Sequence, residues 1–284
     1  MNTRVSSATK EVVIGDGWPT VLIGERINPA GKKKLAEALK AGNLEIVRRE
    51  ALAQAQAGAD ILDINVGTFG VDEVILLPQA VQEVMDAVDL PLCLDSANPD
   101  ALAAALKIYK GKPVINSVTG EEHSLAKVLP LVKGYGAAVI ALVQDDEGTP
   151  KDSERRIAIA HKIVERAEAA GISRQDIIID CLASAVGADT DSGLVVIETI
   201  RRVKAELGVN LTLGASNVSF GLPDRDLLNS AFVAIAIAAG APCLIVDVAK
   251  VRPAVLAADL ILGHDKYARR YIEAYRQGRI ASNS

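Results

Sequence analysis

The stretch LCLDSANPDALAAALKIYKGKPVINSV, residues 92–118, shows the pattern that decides the fold. Its apolar runs LCLDS and VINSV predict two strands, and the segment between them carries helix signals. Asn98 is a suitable N-cap, Pro99 suits the first helical position, and Gly111 lies past the predicted end. Because the apolar runs are continuous rather than alternating, we expect both strands to be covered on both faces, as parallel strands are.

The same strand–helix unit recurs along the whole chain. Eight apolar runs predict strands, at residues 21–27, 61–66, 92–96, 114–118, 137–143, 177–182, 211–216 and 243–248. This alternation, with no linker or low-complexity segment, favours a single-domain α/β fold, a (β/α)8 TIM barrel. A doubly wound open sheet is the main alternative, but it usually has fewer strands, and no GxGxxG follows the first one. We expect residues 1–20 to form an N-terminal extension over the barrel bottom and residues 21–284 to form the barrel.

The composition argues against several classes of function. Of the 284 residues, 50% are hydrophobic, and the net charge of −5 provides no basic field to attract nucleic acid or an anionic membrane. No apolar run reaches the roughly 18–20 residues of a membrane span, and no signal peptide is visible. The three cysteines lie far apart, without zinc-binding spacing. We therefore expect a cytoplasmic protein. The basic run 32–34 is either a solvated helix face or an anion contact.

In a barrel of this kind, the active site lies where the strands end. The predicted strands finish in polar residues at nearly every position: Glu25, Arg26, Asp63, Asn65, Asp95, Asn116, Gln144, Asp180, Ser216, Asn217 and Asp247. A single residue of this type is more often a helix cap or a loop hydrogen bond. A whole ring of them predicts a ligand with many hydrogen-bond donors and acceptors.

Three classes of ligand compete for this ring. A metal ion would need converging carboxylates, but the acids are interleaved with amides and no HExxH motif occurs. A phosphate would need a glycine-rich loop, and GERINPAGKK (residues 24–33) has the wrong spacing for a Walker loop. A flat, neutral heterocycle fits best, because carboxylates accept the N–H bonds of an aminopyrimidinone edge and amides serve the mixed positions. We therefore expect no bound metal.

Six segments carry a family resemblance: VLIGERIN, GADILDINVG, LCLDSAN, VINSV, IIIDCL and LGASNVS. Together they closely resemble the methyltetrahydrofolate:corrinoid protein methyltransferases and the pterin-binding domain of cobalamin-dependent methionine synthase. The resemblance implies a TIM barrel, usually homodimeric, that binds tetrahydrofolate or 5-methyltetrahydrofolate in its mouth. It also implies methyl exchange with the cobalt of a corrinoid (cobalamin) on a separate partner protein, in either direction.

The resemblance assigns roles to individual residues. Asp95, Asn116 and Asp180 would hydrogen-bond the pterin ring. Asn217 would face N5 and stabilise it in the transition state, because a carboxamide offers both a donor and an acceptor. The full set of substrate-binding candidates is Asp95, Asn116, Asp180, Asn217, Glu25, Asp63, Asn65, Ser216 and Arg225. Arg225 and Asn229, in the segment after the seventh strand, match more loosely, and Cys181 stands where many relatives have proline.

Other functions stay open on the sequence alone. Dihydropteroate synthase shares the barrel and pterin pocket, but it has a lysine near the end of the seventh strand, where this chain has Asn217. Val248 and Ala249 also replace its Arg-x-His after the last strand. A non-catalytic folate-binding barrel would use most of the same residues. A metal-dependent aldolase-type barrel is a further alternative.

Overall fold

The computed structural model describes residues 1–278 and 280. An antiparallel hairpin comes first, with strands β1 (Asn2–Ser6) and β2 (Glu11–Gly15). The eight parallel strands are β3 (Val21–Ile27), β4 (Ile61–Asn65), β5 (Leu92–Asp95), β6 (Val114–Thr119), β7 (Ala138–Leu142), β8 (Ile177–Asp180), β9 (Asn210–Thr212) and β10 (Cys243–Val246). The helices are α1 (Lys33–Lys40), α2 (Glu45–Ala57), α3 (Glu73–Ala87), α4 (Pro99–Ile108), α5 (Glu122–Tyr135), α6 (Ser153–Ala169), α7 (Ser192–Arg202), α8 (Arg225–Ala239), α9 (Val248–Ile261) and α10 (Arg269–Arg276).

The eight parallel strands form a nearly closed barrel. They pair in the order β10-β3-β4-β5-β6-β7-β8-β9, so the last strand of the chain lies beside the first of the barrel. The seam between β9 and β10 is bridged just past the end of β9, where Ile245 N donates to Leu213 O at 3.0 Å. The predicted (β/α)8 architecture is confirmed.

Two apolar layers explain the continuous hydrophobic runs of the strands. Neighbouring strand residues point to opposite sides, so Ile61 packs inside the barrel while Leu62 packs against the surrounding helices. In the same way, Ile178 packs inside the barrel and Ile179 packs against the helices. Each strand is therefore buried on both faces. No helix in residues 1–278 and 280 is long and apolar enough to cross a membrane.

The N-terminal hairpin closes the end of the barrel at which the strands begin. Val5 and Ile14 belong to the apolar cluster inside the barrel. Asn210, at the start of β9, donates from Nδ2 to Ile14 O and to Thr3 Oγ1, each at 2.9 Å. The opposite end, where the strands finish, carries the predicted polar residues.

The helix start predicted at Asn98 and Pro99 is confirmed in α4. Asn98 accepts a hydrogen bond from Asp100 N at 3.0 Å, and Pro99 is the first residue of α4. Asp152 caps α6 in the same way, because its side chain accepts from Arg155 N at 2.8 Å.

Three predicted strands end two or more residues too late, and one of them is β8, which stops at Asp180 instead of residue 182. β9 stops at Thr212, and Ala215–Ser219 forms a 3-10 helix that carries Ser216 and Asn217. The carbonyl of Ser216 accepts a hydrogen bond from Arg225, so it does not extend the sheet. β10 stops at Val246, and α9 begins at Val248.

Candidate functional site

Four predicted site residues form one hydrogen-bonded group at the ends of β4, β5 and β6. The strand register places Asn65 beside Asp95 and Asp95 beside Asn116. Asn65 Nδ2 donates to Asp95 Oδ2 at 2.9 Å, and Asn116 Nδ2 donates to Asp63 Oδ1 at 3.1 Å. The structure therefore brings Asp63, Asn65, Asp95 and Asn116 together, as expected from adjacent strand ends.

The two carboxyl groups of this cluster compete for one proton. Burial raises the pKa of Asp63 well above its usual range, and the nearby Asp95 carboxylate raises it further. Burial also raises the pKa of Asp95, to about 6, although the hydrogen bond from Asn65 lowers it. Two close, buried carboxyl groups do not readily ionise together. The pair therefore binds a proton more tightly than an isolated, solvated carboxyl group does.

Asp180, at the end of β8, is a further carboxyl group of the mouth and is buried. Its Oδ1 accepts a hydrogen bond from Leu182 N at 2.7 Å. Burial raises the pKa of Asp180 to about 7, while the backbone hydrogen bond and the charge of Arg156 lower it. A ligand that donates N–H bonds to this carboxyl group would favour its ionised form.

Glu25 and Ser216 connect the first and seventh strands of the barrel. Ser216 Oγ donates to Glu25 Oε1 at 2.6 Å. Burial raises the pKa of Glu25, and the hydrogen bond from Ser216 and the charge of Lys32 oppose this effect. Lys32 Nζ donates to the carbonyl oxygens of Glu25 at 3.2 Å and Arg26 at 3.1 Å. Lys32 therefore folds back onto the end of β3, whereas Lys33 and Lys34 are exposed.

The loop after β9 holds Asn217 at the surface of the barrel mouth. Within the described residues, the Asn217 side chain makes no hydrogen bond, and its Nδ2 lies over Gly214. The backbone beside it is fixed, because Arg225 donates to Ser219 Oγ at 2.9 Å and to Ser216 O at 2.8 Å. Arg225 also stacks on Phe220, with its guanidinium carbon 4.6 Å from the ring centre. The Asn217 amide is therefore free to meet a ligand on a rigid support.

A cleft of about 480 Å³ opens beside this loop. Its lining includes Glu25, Arg26, Ser216, Asn217, Arg225, Asn229 and Asp247. Asn229 is only 6% exposed, and its Oδ1 has no hydrogen-bond partner among the described residues. The lining does not include Asp95, Asn116 or Asp180. Most of the predicted residues therefore form two groups. Glu25, Ser216, Asn217 and Arg225 line this lateral cleft. The strand residues Asp63, Asp95, Asn116 and Asp180 lie outside it and are called the acidic floor.

Sequence reasoning missed Arg156, which is 2% exposed. It lies near the start of α6, three and four residues before the buried Ile159 and Ala160. Helical periodicity alone would have placed it on the inward face. Among the described residues, no group of three or more His, Cys, Asp or Glu side chains is arranged to hold a metal ion.

Comparison with known proteins shows the family of this chain. The model of the family described as pterin binding enzyme matches residues 24–247. The chain belongs to this family. It is 33% identical over 270 residues to the methylcorrinoid:tetrahydrofolate methyltransferase of Eubacterium limosum, covering 92% of this chain and 97% of that protein. The methyltransferase resemblance of the sequence motifs is therefore confirmed.

A second relative is much longer than this chain. Over 262 residues the chain is 32% identical to methionine synthase of Mycobacterium tuberculosis. The match covers 88% of this chain and 22% of that protein. This pterin-binding chain therefore spans about a fifth of that relative.

Two solved structures share the fold. A Yersinia pestis DHPS with a pterine-sulfa conjugate superposes with a TM-score of 0.71 at 18% identity, covering 91% of this chain and 98% of that one. Xanthomonas albilineans dihydropteroate synthase gives 0.71 at 23% identity, covering 92% and 99%. At these identities the likeness concerns the barrel alone.

Proposed function

We propose that this protein is a methyltransferase that exchanges a methyl group between N5 of tetrahydrofolate and the cobalt of a separate corrinoid protein. One observation carries the proposal: buried carboxyl groups with too few donors lie at the same barrel mouth as an unpaired amide on a rigid loop. The Eubacterium limosum relative, whose name contains both substrates, matches along nearly its whole length.

In this proposal the acidic floor binds the pterin ring. Asp95 and Asp180 accept N–H bonds from the ring, and Asn116 serves a position between them. Their raised pKa values support this assignment, because the donors within the chain do not offset the effect of burial, and N–H groups of a ligand would stabilise the charged form. Glu25, Asp63, Asn65, Ser216 and Arg225 contribute as neighbours of these groups or of the Asn217 loop.

The chemical step needs a group that responds to charge at N5. When the methyl group leaves, the electron pair of the C–N bond stays on nitrogen, and a proton or hydrogen-bond donor must stabilise it. The Asn217 amide can accept from a protonated N5 or donate to an unprotonated one. A preorganised donor of this kind is worth about 2–4 kcal/mol in a transition state.

The assembly must leave the mouth open to the corrinoid partner. We propose a homodimer joined through the outer face of α8. Four residues on that face are exposed and apolar: Leu227, Ala231, Ile235 and Ala238. Leu227 is 66% and Ile235 53% exposed, and because all four residues share one face of α8 they form a continuous apolar strip that a second subunit could cover. The free, buried cysteines suit the cytoplasm as the proposed location.

Light scattering tests the dimer. We expect a dimer for the natural chain and a monomer for Ile235→Glu, because a charge in an apolar interface lacks a partner. Ile75→Glu is the matched control, since Ile75 is 59% exposed on α3 and should not change the mass. A monomeric natural chain would contradict the proposal.

The decisive experiment is single-turnover methyl transfer between 5-methyltetrahydrofolate and cob(I)alamin. We expect transfer by the natural chain. In Asn217→Ala the rate constant of methyl transfer should be lower by about 10- to 1,000-fold, with folate affinity less affected. Asn217→Asp should not restore the rate, because an ionised carboxylate cannot donate to N5.

Each alternative function predicts a different experimental result. Condensation of a pterin pyrophosphate with aminobenzoate would identify a dihydropteroate synthase. Folate binding without transfer in either direction would identify a non-catalytic barrel. Loss of activity on chelation would favour a metal-dependent aldolase-type barrel.

A further inference from the structure

Arg156 connects two loops at the mouth of the barrel. Its Nε donates to Pro150 O at 2.9 Å, in the loop after β7. Its Nη1 donates to Cys181 O at 2.8 Å and to Leu182 O at 2.9 Å, in the loop after β8. The guanidinium therefore holds together the segments that follow two adjacent strands.

The hydrogen bonds of this buried cation are unusual. All of them go to backbone carbonyl groups, and among the described residues no carboxylate forms an ion pair with Arg156. Burying a charge without a counter-ion costs free energy, and an apolar side chain of similar size would avoid that cost. Burial accordingly lowers the pKa of Arg156. A charge kept under these conditions points to a role beyond packing.

The turn that Arg156 holds is the one that orients Asp180. Leu182 has a φ of +53°, a left-handed conformation that is uncommon for leucine. In this conformation Leu182 N donates to Asp180 Oδ1 at 2.7 Å, while Leu182 O accepts from Arg156. Two of the guanidinium hydrogen bonds thus fix the same turn that fixes the carboxyl group.

The charge of Arg156 acts on Asp180 as well. From α6, Arg156 is the cation whose field lowers the pKa of Asp180. The other titratable groups around the carboxyl group are the buried thiols of Cys181 and, on β10, Cys243. Asp152 acts on Arg156 itself. Neither thiol supplies a compensating positive charge.

We propose that Arg156 is a positioning residue for pterin binding, which holds the Cys181–Leu182 turn and supplies the positive charge that Asp180 faces. The assignment rests on the proposed function, since it takes Asp180 as a pterin ligand. Arg156 touches neither the pterin nor the methyl group. Its two effects, on orientation and on charge, are separable by substitution.

The test compares Arg156→Met, which removes the charge, with Arg156→Lys, which keeps it but cannot span both loops. The affinity for 5-methyltetrahydrofolate is measured by calorimetry from pH 6 to 9. In Arg156→Met we expect the affinity at pH 7 to fall at least tenfold. The affinity rises with pH as Asp180 ionises, and we expect the midpoint of this rise to lie at a higher pH than in the natural chain. In Arg156→Lys we expect weaker binding with the pH midpoint of the natural chain.

Arg155→Met is the matched control. Arg155 is the preceding residue, but its partly exposed side chain pairs with Asp145 and Glu147 at the surface. This variant should bind folate as the natural chain does. Equal affinity and an equal pH midpoint in folded Arg156→Met would overturn the proposal. If that variant does not fold, unchanged affinity in Arg156→Lys would overturn the role of the three hydrogen bonds.

A second measurement needs no folate. The carboxyl carbon of Asp180 can be followed by ¹³C NMR during a pH titration of the free protein, with Asp180→Asn for assignment. We expect its midpoint to be higher in Arg156→Met than in the natural chain and unchanged in Arg155→Met. A natural chain that does not bind folate would refute the proposed function, whereas an unshifted Asp180 midpoint would refute the role of Arg156.

Discussion

Buried carboxyl groups lie at both ends of the barrel, but their surroundings differ. At the end where the strands begin, Asp259 is fully buried and accepts from Thr20 N at 3.0 Å, Thr20 Oγ1 at 2.6 Å and Arg270 Nη1 at 3.1 Å. At the mouth, Asp180 is also buried, but Leu182 N is its hydrogen-bond donor among the described residues.

This contrast separates a structural acid from a candidate ligand-binding acid. The chain itself supplies the partners of Asp259, which join the start of β3 to α9 and α10. It supplies Asp180 with one donor, from Leu182 N, and Asp95 with one from Asn65, and burial raises the pKa of both carboxyl groups. Burial therefore does not mark function by itself. The number of donors that the fold leaves to a ligand is the better indicator.

The largest expected effect concerns the structural end. Asp259→Ala should lower the free energy of unfolding by about 3–5 kcal/mol, because it leaves the Arg270 charge without its buried partner. Urea denaturation measures this change. Glu168→Ala is the control, since its half-exposed pair with Arg174 should contribute less than about 1 kcal/mol. Impaired folate binding in folded Asp259→Ala would show that the two ends are coupled.

The second prediction concerns the acidic floor. Asp95→Ala and Asp180→Ala should each weaken 5-methyltetrahydrofolate binding at least tenfold, because a buried donor left unpaired costs about 1–3 kcal/mol. Calorimetric titration measures the affinity. Unlike Asp259→Ala, neither variant should lose much stability. Correctly folded variants with unchanged affinity would remove these residues from the site.

The third prediction concerns the pH dependence of stability. Burial raises the pKa of Asp180 from 3.8 to about 7, so the folded state binds this proton more tightly than the unfolded state. The contribution to stability is then present below about pH 4 and is lost as pH rises through about 7. Asp180→Asn should be more stable than the natural chain at pH 8, by up to about 4 kcal/mol, which is the full value of this pKa shift. Near pH 4 the gain should vanish, and a constant difference across this range would contradict the assignment.

Local sequence patterns predict much of the barrel. The run 21–27 forms β3 without change, and Asn98 caps the helix that it was expected to begin. These features depend on residues close in sequence, whose periodicity and capping chemistry act over a few positions. The clustering of Asp95 and Asn116 also follows from sequence, since adjacent parallel strands place their ends side by side.

Only the tertiary structure decided which partners the polar residues have. Ser216 was expected to end a strand, but a hydrogen bond from Arg225 holds it in a 3-10 helix. Lys32 belongs to a basic run, yet it binds two carbonyl groups at the end of β3. Arg156 lies 24 residues before Asp180 in the chain but acts on its turn. A local pattern specifies which face of an element is buried, whereas hydrogen-bond partners and pKa values depend on residues that folding brings from elsewhere.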